Sequence, residues 1–382
     1  MYLCNVKREE DKRYMRRCLQ LAKLGCYYVA PNPMVGAVLV LDGGCKCASD
    51  IGGKCEIVGE GWHRQYGGPH AEVECFRDAE RRMQQSGSAI DMKDCTLYVS
   101  LEPCSHYGKT PPCAQLIIDK GVGRVVAGMK DPNPLVAGKG IAMLVKAGIE
   151  VTVGVLEEEC RELNRRFLCL HEKHRPYVIL KWAQSEDGFL DKNREITAVK
   201  TEDEKETESA VENKEKEGPV VLSSAVTKQL VHKMRAENMA IMVGTRTALL
   251  DNPKLRTTRW AGRDPVRVLP DRHGVVSREN NIFSGGAETI VYSERTDFEY
   301  ILSDLAKRGI HSLIVEGGAR LLHSVIESGL WDEVQVEVAP VRLGDGVKAP
   351  KMPDGMTLGM EIEGHKLWHM RRATNHGNGK GE

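Results

Sequence analysis

Four residues of the 382, His70, Glu72, Cys104 and Cys113, form a set whose types and spacing can do chemistry. His70-Ala71-Glu72 is followed by Pro103-Cys104 and, nine positions later, by Pro112-Cys113. One imidazole and two thiolates suit a tetrahedral zinc that keeps its fourth position for water, as catalytic zinc sites do. The nearby carboxylate completes a hydrolytic set, because a zinc-activated water attacking an amidine-like carbon needs a base to take its proton and deliver it to departing ammonia. A closed structural site would want a fourth Cys or His and leaves Glu72 without a role. Between the cysteines, SHYGKTPP carries His106 and Lys109, polar groups able to face a substrate. Cys113 opens the helical run AQLIIDKG, where the positive end of a helix favours thiolate.

The other cysteines read differently. Cys45, Cys47 and Cys55 share one loop and could take a second metal, but no fourth ligand stands nearby. Cys4, Cys18, Cys26, Cys75, Cys95, Cys160 and Cys169 read as small apolar side chains. A second feature lies far downstream. In SLIVEGGARLLHSVIESG a strand runs through Gly317-Gly318 into a helix, so unhindered N–H groups at a helix start can hold a pyrophosphate, although such a turn is often only a tight turn. No G-x-G-x-x-G follows a strand in this half, so a Rossmann dinucleotide site has no support.

The elements that must position these residues form two series. Tyr14, Cys18 and Ala22, with Met15 and Leu19 alongside, give one apolar helical stripe, and Val35 to Leu41 reads as a strand followed by an enlarged Gly- and Cys-rich loop. From Cys95, strand-like TLYVSL, RVVAG and IEVTVG alternate with helical CAQLIIDKG, GKGIAMLVKAG and EEECRELNRRF, the pattern of a layered α/β domain over residues 1–170. A linker at 171–175 leads to a second α/β domain, 176–373, with PYVILKWA, AIMVG, PVRVL, ETIVYS, SLIVEGG and DEVQVEVAP as strands. Residues 191–218 hold sixteen charged side chains in twenty-eight positions and no aromatic, which predicts a mobile insertion inside that domain. The tail, 374–382, is expected to be disordered.

Composition excludes several classes. A chain that is 41% hydrophobic and 28% charged is globular, and its 54 basic residues balance 54 acidic ones, so no global field draws it to nucleic acid. No apolar run reaches the ~20 residues of a membrane span. Without a signal-peptide core at the start, a cytoplasmic location is expected, where the twelve cysteines would be thiols or metal ligands.

The segments PNPMVGAVLV (31–40), GEGWHRQYGGPHAE (59–72), LEPCSHYGKTPPC (101–113) and DPNPLVAGKGI (131–141) resemble the bifunctional riboflavin-biosynthesis deaminase/reductase family of RibD type. HAE with PC is shared more widely, since H-x-E…P-C-x-x-C marks zinc nucleobase deaminases, whereas the long PCSHYGKTPPC loop is particular to this family. The resemblance implies a cytidine-deaminase-like three-layer α/β/α domain followed by a dihydrofolate-reductase-like α/β domain. It implies one zinc on His70, Cys104 and Cys113, with Glu72 as proton shuttle. Asn32 and His63 would contact the pyrimidine, and His106 and Lys109 the pyrimidine or the ribose phosphate.

For the second domain it implies NADPH. Lys181, Asp251 and Glu316 match polar residues at the hydride-transfer site, and Arg235 matches a substrate-phosphate position. Ser223, Leu255, Arg256, Arg259 and Glu316 are the further substrate candidates. Gln184, Val221, Thr247, Asp251, Arg272, Gly318, Ala319, Arg320, Leu321, Leu322, His323 and Ser324 are the cofactor candidates. The chain departs from the family where Val221-Leu222-Ser223 replaces a W-I-T-like segment, at Thr258, which stands between Arg256 and Arg259 in the place of an arginine, and at Pro270, late in a strand. The expected partner is a small pyrimidine ribose phosphate, with neither nucleic acid nor membrane, and the expected assembly is a homo-oligomer. Two rival readings are a single-function nucleobase or tRNA deaminase with an inert second domain, and a scaffold with structural zinc; the first would want a basic groove with stacking aromatics, yet aromatics are 5%.

Overall fold

The computed structural model describes residues 2–42, 55–87, 89–106, 111–133, 137–195 and 218–372. The chain divides into two compact units, Met1–Arg175 and Pro176–Glu382. The first contains helix α1 (Tyr2–Lys23), strands β1 (Gly36–Leu41) and β2 (Glu56–Trp62), α2 (Ala71–Ser86), β3 (Cys95–Val99), α3 (Cys113–Lys120), β4 (Arg124–Ala127), α4 (Lys139–Lys146), β5 (Glu150–Val153), α5 (Glu157–Leu163) and α6 (Arg165–Lys173). Its sheet has the order β2-β1-β3-β4-β5. β1 pairs antiparallel with both β2 and β3, whereas β3, β4 and β5 run parallel.

Alternation along β1 makes three layers, because successive side chains leave a strand on opposite faces. Ala37 and Leu39 meet Ala71, Cys75 and Phe76 of α2, Ile117 of α3 and Leu144 of α4. Val38 and Val40 meet Tyr14, Met15 and Cys18 of α1, Cys160 of α5 and Leu168 of α6. The apolar stripe of α1 is therefore its buried face. Gly61 lets α2 lie close on β2, since a Cβ there would sit 2.4 Å from the Ala71 carbonyl oxygen and 2.3 Å from the Cys75 nitrogen. That contact sets the start of α2, where His70 and Glu72 stand.

The second unit contains β6 (Tyr177–Ser185), β7 (Phe189–Asp191), α7 (Ala225–Ala236), β8 (Ala240–Met242), α8 (Thr245–Asp251), β9 (Val266–Pro270), β10 (Thr289–Tyr292), α9 (Phe298–Lys307), β11 (Ser312–Glu316), α10 (Ala319–Ser328), β12 (Glu333–Ala339), β13 (Val347–Lys348), β14 (Thr357–Ile362) and β15 (His365–Arg371). Eight strands form one mixed sheet, β10-β9-β8-β11-β6-β12-β15-β14, and β7 pairs with β13 in a small ribbon. The strands from β10 to β12 are parallel, and β12, β15 and β14 are antiparallel. Val178, Leu180 and Trp182 on one face of β6 pack with Val315, Val334, Ile301 and Leu322 in the core. Pro270 is the last residue of β9, so it ends the strand without interrupting it.

Two boundaries differ from those read in the sequence. Helix α6 runs through Lys173 and the units divide after Arg175, so residues 171–173 are helical where a linker was expected. The expected insertion at 191–218 also begins too early. Asp191 ends β7 and Arg194 is tied into the domain by ion pairs, because their charges find partners within the fold. Residues 196–217, Cys45, Cys47, Lys109 and the expected tail lie outside the described residues.

Candidate active sites

In the first unit, three separate turns deliver the zinc donors to one place. His70 is the N-cap of α2, Cys113 is the first residue of α3, and Cys104 follows β3 on the intervening loop. Their donor atoms lie within 4.8 Å of one another. The Cys104 and Cys113 Sγ atoms stand 3.6 and 3.3 Å from His70 Nδ1. Ordinary Zn–S and Zn–N bonds at a tetrahedral angle separate sulfur from nitrogen by about 3.6 Å, so the spacing fits one zinc. The Cys113 backbone N–H donates to Cys104 Sγ at 3.2 Å. Hydrogen bonds from Cys113 and His70 draw the Cys104 thiol below its usual range, while the same contact with Cys104 pushes the Cys113 thiol up.

Glu72, in the first turn of α2, is 4% exposed, and burial pushes its carboxyl up. It lines a cavity of about 280 Å³ with His70, Cys104, Asn32, His63 and His106. Four expected residues besides the ligands thus converge. His63 lines the cavity, and two hydrogen bonds hold its ring. Its Nδ1 lies 2.9 Å from the Pro69 carbonyl oxygen and its Nε2 lies 3.0 Å from the Asn32 amide nitrogen. A carbonyl only accepts, so Nδ1 carries the proton and Nε2 accepts from Asn32. Both ring nitrogens have partners within the protein, so His63 and Asn32 stand joined on the cavity wall.

Sequence reasoning missed four further lining residues, Asp131, Asn133, Phe167 and His171. The segment that holds Asp131 and Asn133 was visible, but nothing local shows that these two side chains reach the cavity lined by His70 and Cys104. Buried Glu102, two residues before Cys104, accepts the backbone N–H groups of Asp131, Gly138, Gly140 and Ile141 at 2.9 to 3.3 Å. A single carboxylate therefore anchors that loop beside the ligand-bearing segment.

In the second unit a cavity of about 310 Å³ opens where the parallel strands end, the usual ligand position in such sheets. Lys181, Arg235, Thr247, Asp251, Leu255, Glu316, Gly318 and Ala319 line it as expected, joined by Asp191, Arg194, Arg246 and Gly317. Gly317 and Gly318 have φ of 95° and 76°, and a Cβ on Gly318 would stand 3.1 Å from Thr247 Oγ1. The turn thus needs glycine and presents its backbone at the start of α10, which suits a pyrophosphate.

Arg235 and Glu316 face each other. Nε donates to Oε1 at 3.1 Å and Nη2 to Oε2 at 2.6 Å, with both side chains largely buried. Burial alone would raise the Glu316 carboxyl, but the Arg235 charge prevails and holds it below the usual carboxylate range, with Lys181 assisting. The fork expected on a substrate phosphate therefore has a protein partner in this structure.

Other expected residues fall outside the cavity lining. Val221 is 68% exposed while Val220 and Pro219 form the wall. Leu322 is fully buried in the core, and Arg320, His323 and Ser324 are exposed farther along α10, because only the first residue of that helix reaches the turn. Leu321 also stands outside the lining, although it packs toward Gly318. Gln184 accepts from Trp182 Nε1 at 2.8 Å, Ser223 donates to Glu337 at 2.6 Å, and Arg256 pairs with Asp264. Arg259 and Arg272 are exposed and are not among the lining residues.

Comparison with known proteins finds relatives of both units. Residues 8–129 match the cytidine and deoxycytidylate deaminase zinc-binding region, and residues 176–372 match the RibD C-terminal domain. The riboflavin biosynthesis protein RibD of Aquifex aeolicus is 37% identical over 363 residues, covering 89% of this chain and 90% of that protein. That of Bacillus amyloliquefaciens is 37% identical over 372 residues, covering 90% and 88%. A Thermotoga maritima crystal structure, described as a diaminohydroxyphosphoribosylaminopyrimidine deaminase/5-amino-6-(5-phosphoribosylamino)uracil reductase, superposes with a TM-score of 0.77 at 33% identity, covering 96% of this chain and all of that one. A zinc-binding deaminase region and a RibD reductase domain are thus both present, and the chain belongs to the family of the riboflavin biosynthesis protein RibD.

Proposed function

We propose that the first unit hydrolytically deaminates 2,5-diamino-6-ribosylamino-4(3H)-pyrimidinone 5′-phosphate and that the second reduces the ribosyl side chain of the product with NADPH, giving 5-amino-6-ribitylamino-uracil phosphate. The observation that carries this reading is the meeting of three zinc donors and a buried carboxylate over one cavity. His70, Cys104 and Cys113 would hold the zinc, which when bound makes water acidic enough to act near neutral pH. Glu72 takes the water proton on its carboxylate and returns it to the leaving nitrogen, a cycle suited to a carboxyl raised by burial. His63 holds the Asn32 amide with its remaining polar atoms available to the pyrimidine. His106, and Lys109 on the adjoining segment, would take the pyrimidine edge or the ribose phosphate.

In the second unit the backbone of Gly317, Gly318 and Ala319 would receive the pyrophosphate of NADPH, whose chemistry is hydride donation. Lys181 and the Arg235–Glu316 pair set the charge where the sugar would react, and Thr247 and Asp251 stand on the cofactor side. Asp251→Asn and Lys181→Met should cripple NADPH oxidation by the deaminated intermediate while ammonia release from the first substrate stays near wild type. Loss of both activities together would contradict the assignment of the two reactions to separate units. Assembly as a homo-oligomer belongs to the same reading and is checked by light scattering. No helix among the described residues is long and apolar enough to cross a membrane.

A further inference from the structure

The cavity of the second unit has an acidic wall that should repel an anionic cofactor. Asp191 ends β7 and Asp251 ends α8, and both line the same opening as the Gly317-Gly318 turn. Arg194 lies between them. Its Nε donates to Asp191 Oδ2 at 2.7 Å, its Nη2 reaches Asp251 Oδ1, and its Nη1 donates to the Leu250 carbonyl oxygen at 3.2 Å. Only 10% of its side chain is exposed. Arg246 donates to the Arg194 backbone carbonyl, so the main chain is held as well as the side chain.

We propose that Arg194 is a positioning residue for NADPH binding: it neutralises Asp191 and Asp251 together and fixes the Asp251 carboxylate on the cavity wall. This inference rests on the assignment of NADPH to the cavity. The charges give the reason. Arg235 is spent on Glu316, so Lys181, Arg194 and Arg246 are the cations that offset the two aspartates and meet the incoming phosphates. Without Arg194, two partly buried carboxylates face a polyanion with only one arginine of this wall remaining. Lysine is a poor replacement, because an ammonium on a single point cannot span two carboxylates as a guanidinium fork does.

Asp191 also accepts the Val220 N–H at 3.0 Å on its other oxygen. Residues 194 and 220, on either side of the charged segment, are thus fastened to one carboxylate. The role of Arg194 therefore depends on contacts of the described wall and not on the segment that follows it.

The test is a fluorescence titration of full-length protein with NADPH at two ionic strengths. Arg194→Gln should raise the dissociation constant at least about tenfold, and Arg194→Lys should fall between Gln and wild type. Arg194→Gln with Asp191→Asn should recover part of the loss, binding at least about threefold tighter than Arg194→Gln alone, since one of the two unpaired charges is then gone while asparagine still accepts the Val220 N–H and Asp251 stays unpaired. A merely structural loss would not be rescued by deleting a further contact. Unchanged zinc content and an unchanged unfolding midpoint verify the fold of each variant. If wild type binds NADPH and Arg194→Gln binds equally well, or the double variant stays as weak as the single one, Arg194 has no such role. If wild type binds no NADPH, the cofactor assignment itself falls and this inference with it.

Discussion

Arg235→Met should destabilise the second unit by about 3 kcal/mol. The Arg235 and Glu316 side chains are 15% and 12% exposed and joined by two hydrogen bonds, so the pair counts as buried. Removing one member of a buried pair typically costs about 3–5 kcal/mol because a charge is left unsatisfied. Lys181 also lowers the Glu316 carboxyl and stays in place, which puts the expected value at the lower end. For a unit of this size, about 3 kcal/mol corresponds to a midpoint lower by about 6–12 °C. Replacing both residues, as Arg235→Met with Glu316→Leu, should recover most of the loss, since no buried charge is then orphaned. Four of the five tryptophans, Trp182, Trp260, Trp331 and Trp368, lie in the second unit, so intrinsic fluorescence during thermal or urea unfolding reports mainly on it. A single variant within about 1 kcal/mol of wild type, or a double variant no more stable than the single one, would refute the reasoning.

Glu72→Gln should keep its zinc yet lower ammonia release by at least about 100-fold, because the amide preserves shape but cannot carry the proton, and it should still oxidise NADPH when given the deaminated intermediate; substantial deamination would remove Glu72 from its role. Metal analysis after dialysis should find one zinc per chain, and a persistent second zinc would assign one to the Cys45, Cys47 and Cys55 loop. Deletion of residues 195–216 should leave both rates near wild type, as Arg194 and Val220 meet at Asp191 and a short join can connect them; a large rise in the KM for NADPH would show that the segment contributes to the cofactor site. NADPH should be preferred to NADH, which parallel KM measurements decide.

Chemistry carried by local motifs was legible in the sequence, and chemistry made by distant convergence was not. His70, Glu72, Cys104 and Cys113 announce themselves because each zinc donor sits at a helix start or a short turn whose residues are contiguous. The three layers were legible for a similar reason, since Ala37 to Val40 alternate between faces and α1 carries an apolar stripe. Asp131 and Asn133 were hidden because Glu102 holds their loop through contacts 29 to 39 residues away in the chain, and Phe167 and His171 because they reach the cavity from α6, about a hundred residues after the His70 motif. Arg194 was hidden by composition. It stands at the edge of a charged run that reads as solvated, and only its pairing with Asp251, 57 residues on, makes it part of a site. The orientation of the His63 ring was hidden because two hydrogen bonds set it, and residue type alone does not reveal them. At the start of α10, resemblance carried over the seven consecutive positions 318–324, of which only Gly318 and Ala319 line the cavity.

The most direct test of two reactions in one chain is incubation of the purified protein with the diaminopyrimidinone ribosyl phosphate, with and without NADPH, following ammonia and NADPH together. The account predicts ammonia in both mixtures, and NADPH consumption that begins only as the deaminated intermediate accumulates and ends at one NADPH per substrate. Ammonia release with no NADPH consumed, even when the deaminated intermediate is supplied, would contradict it.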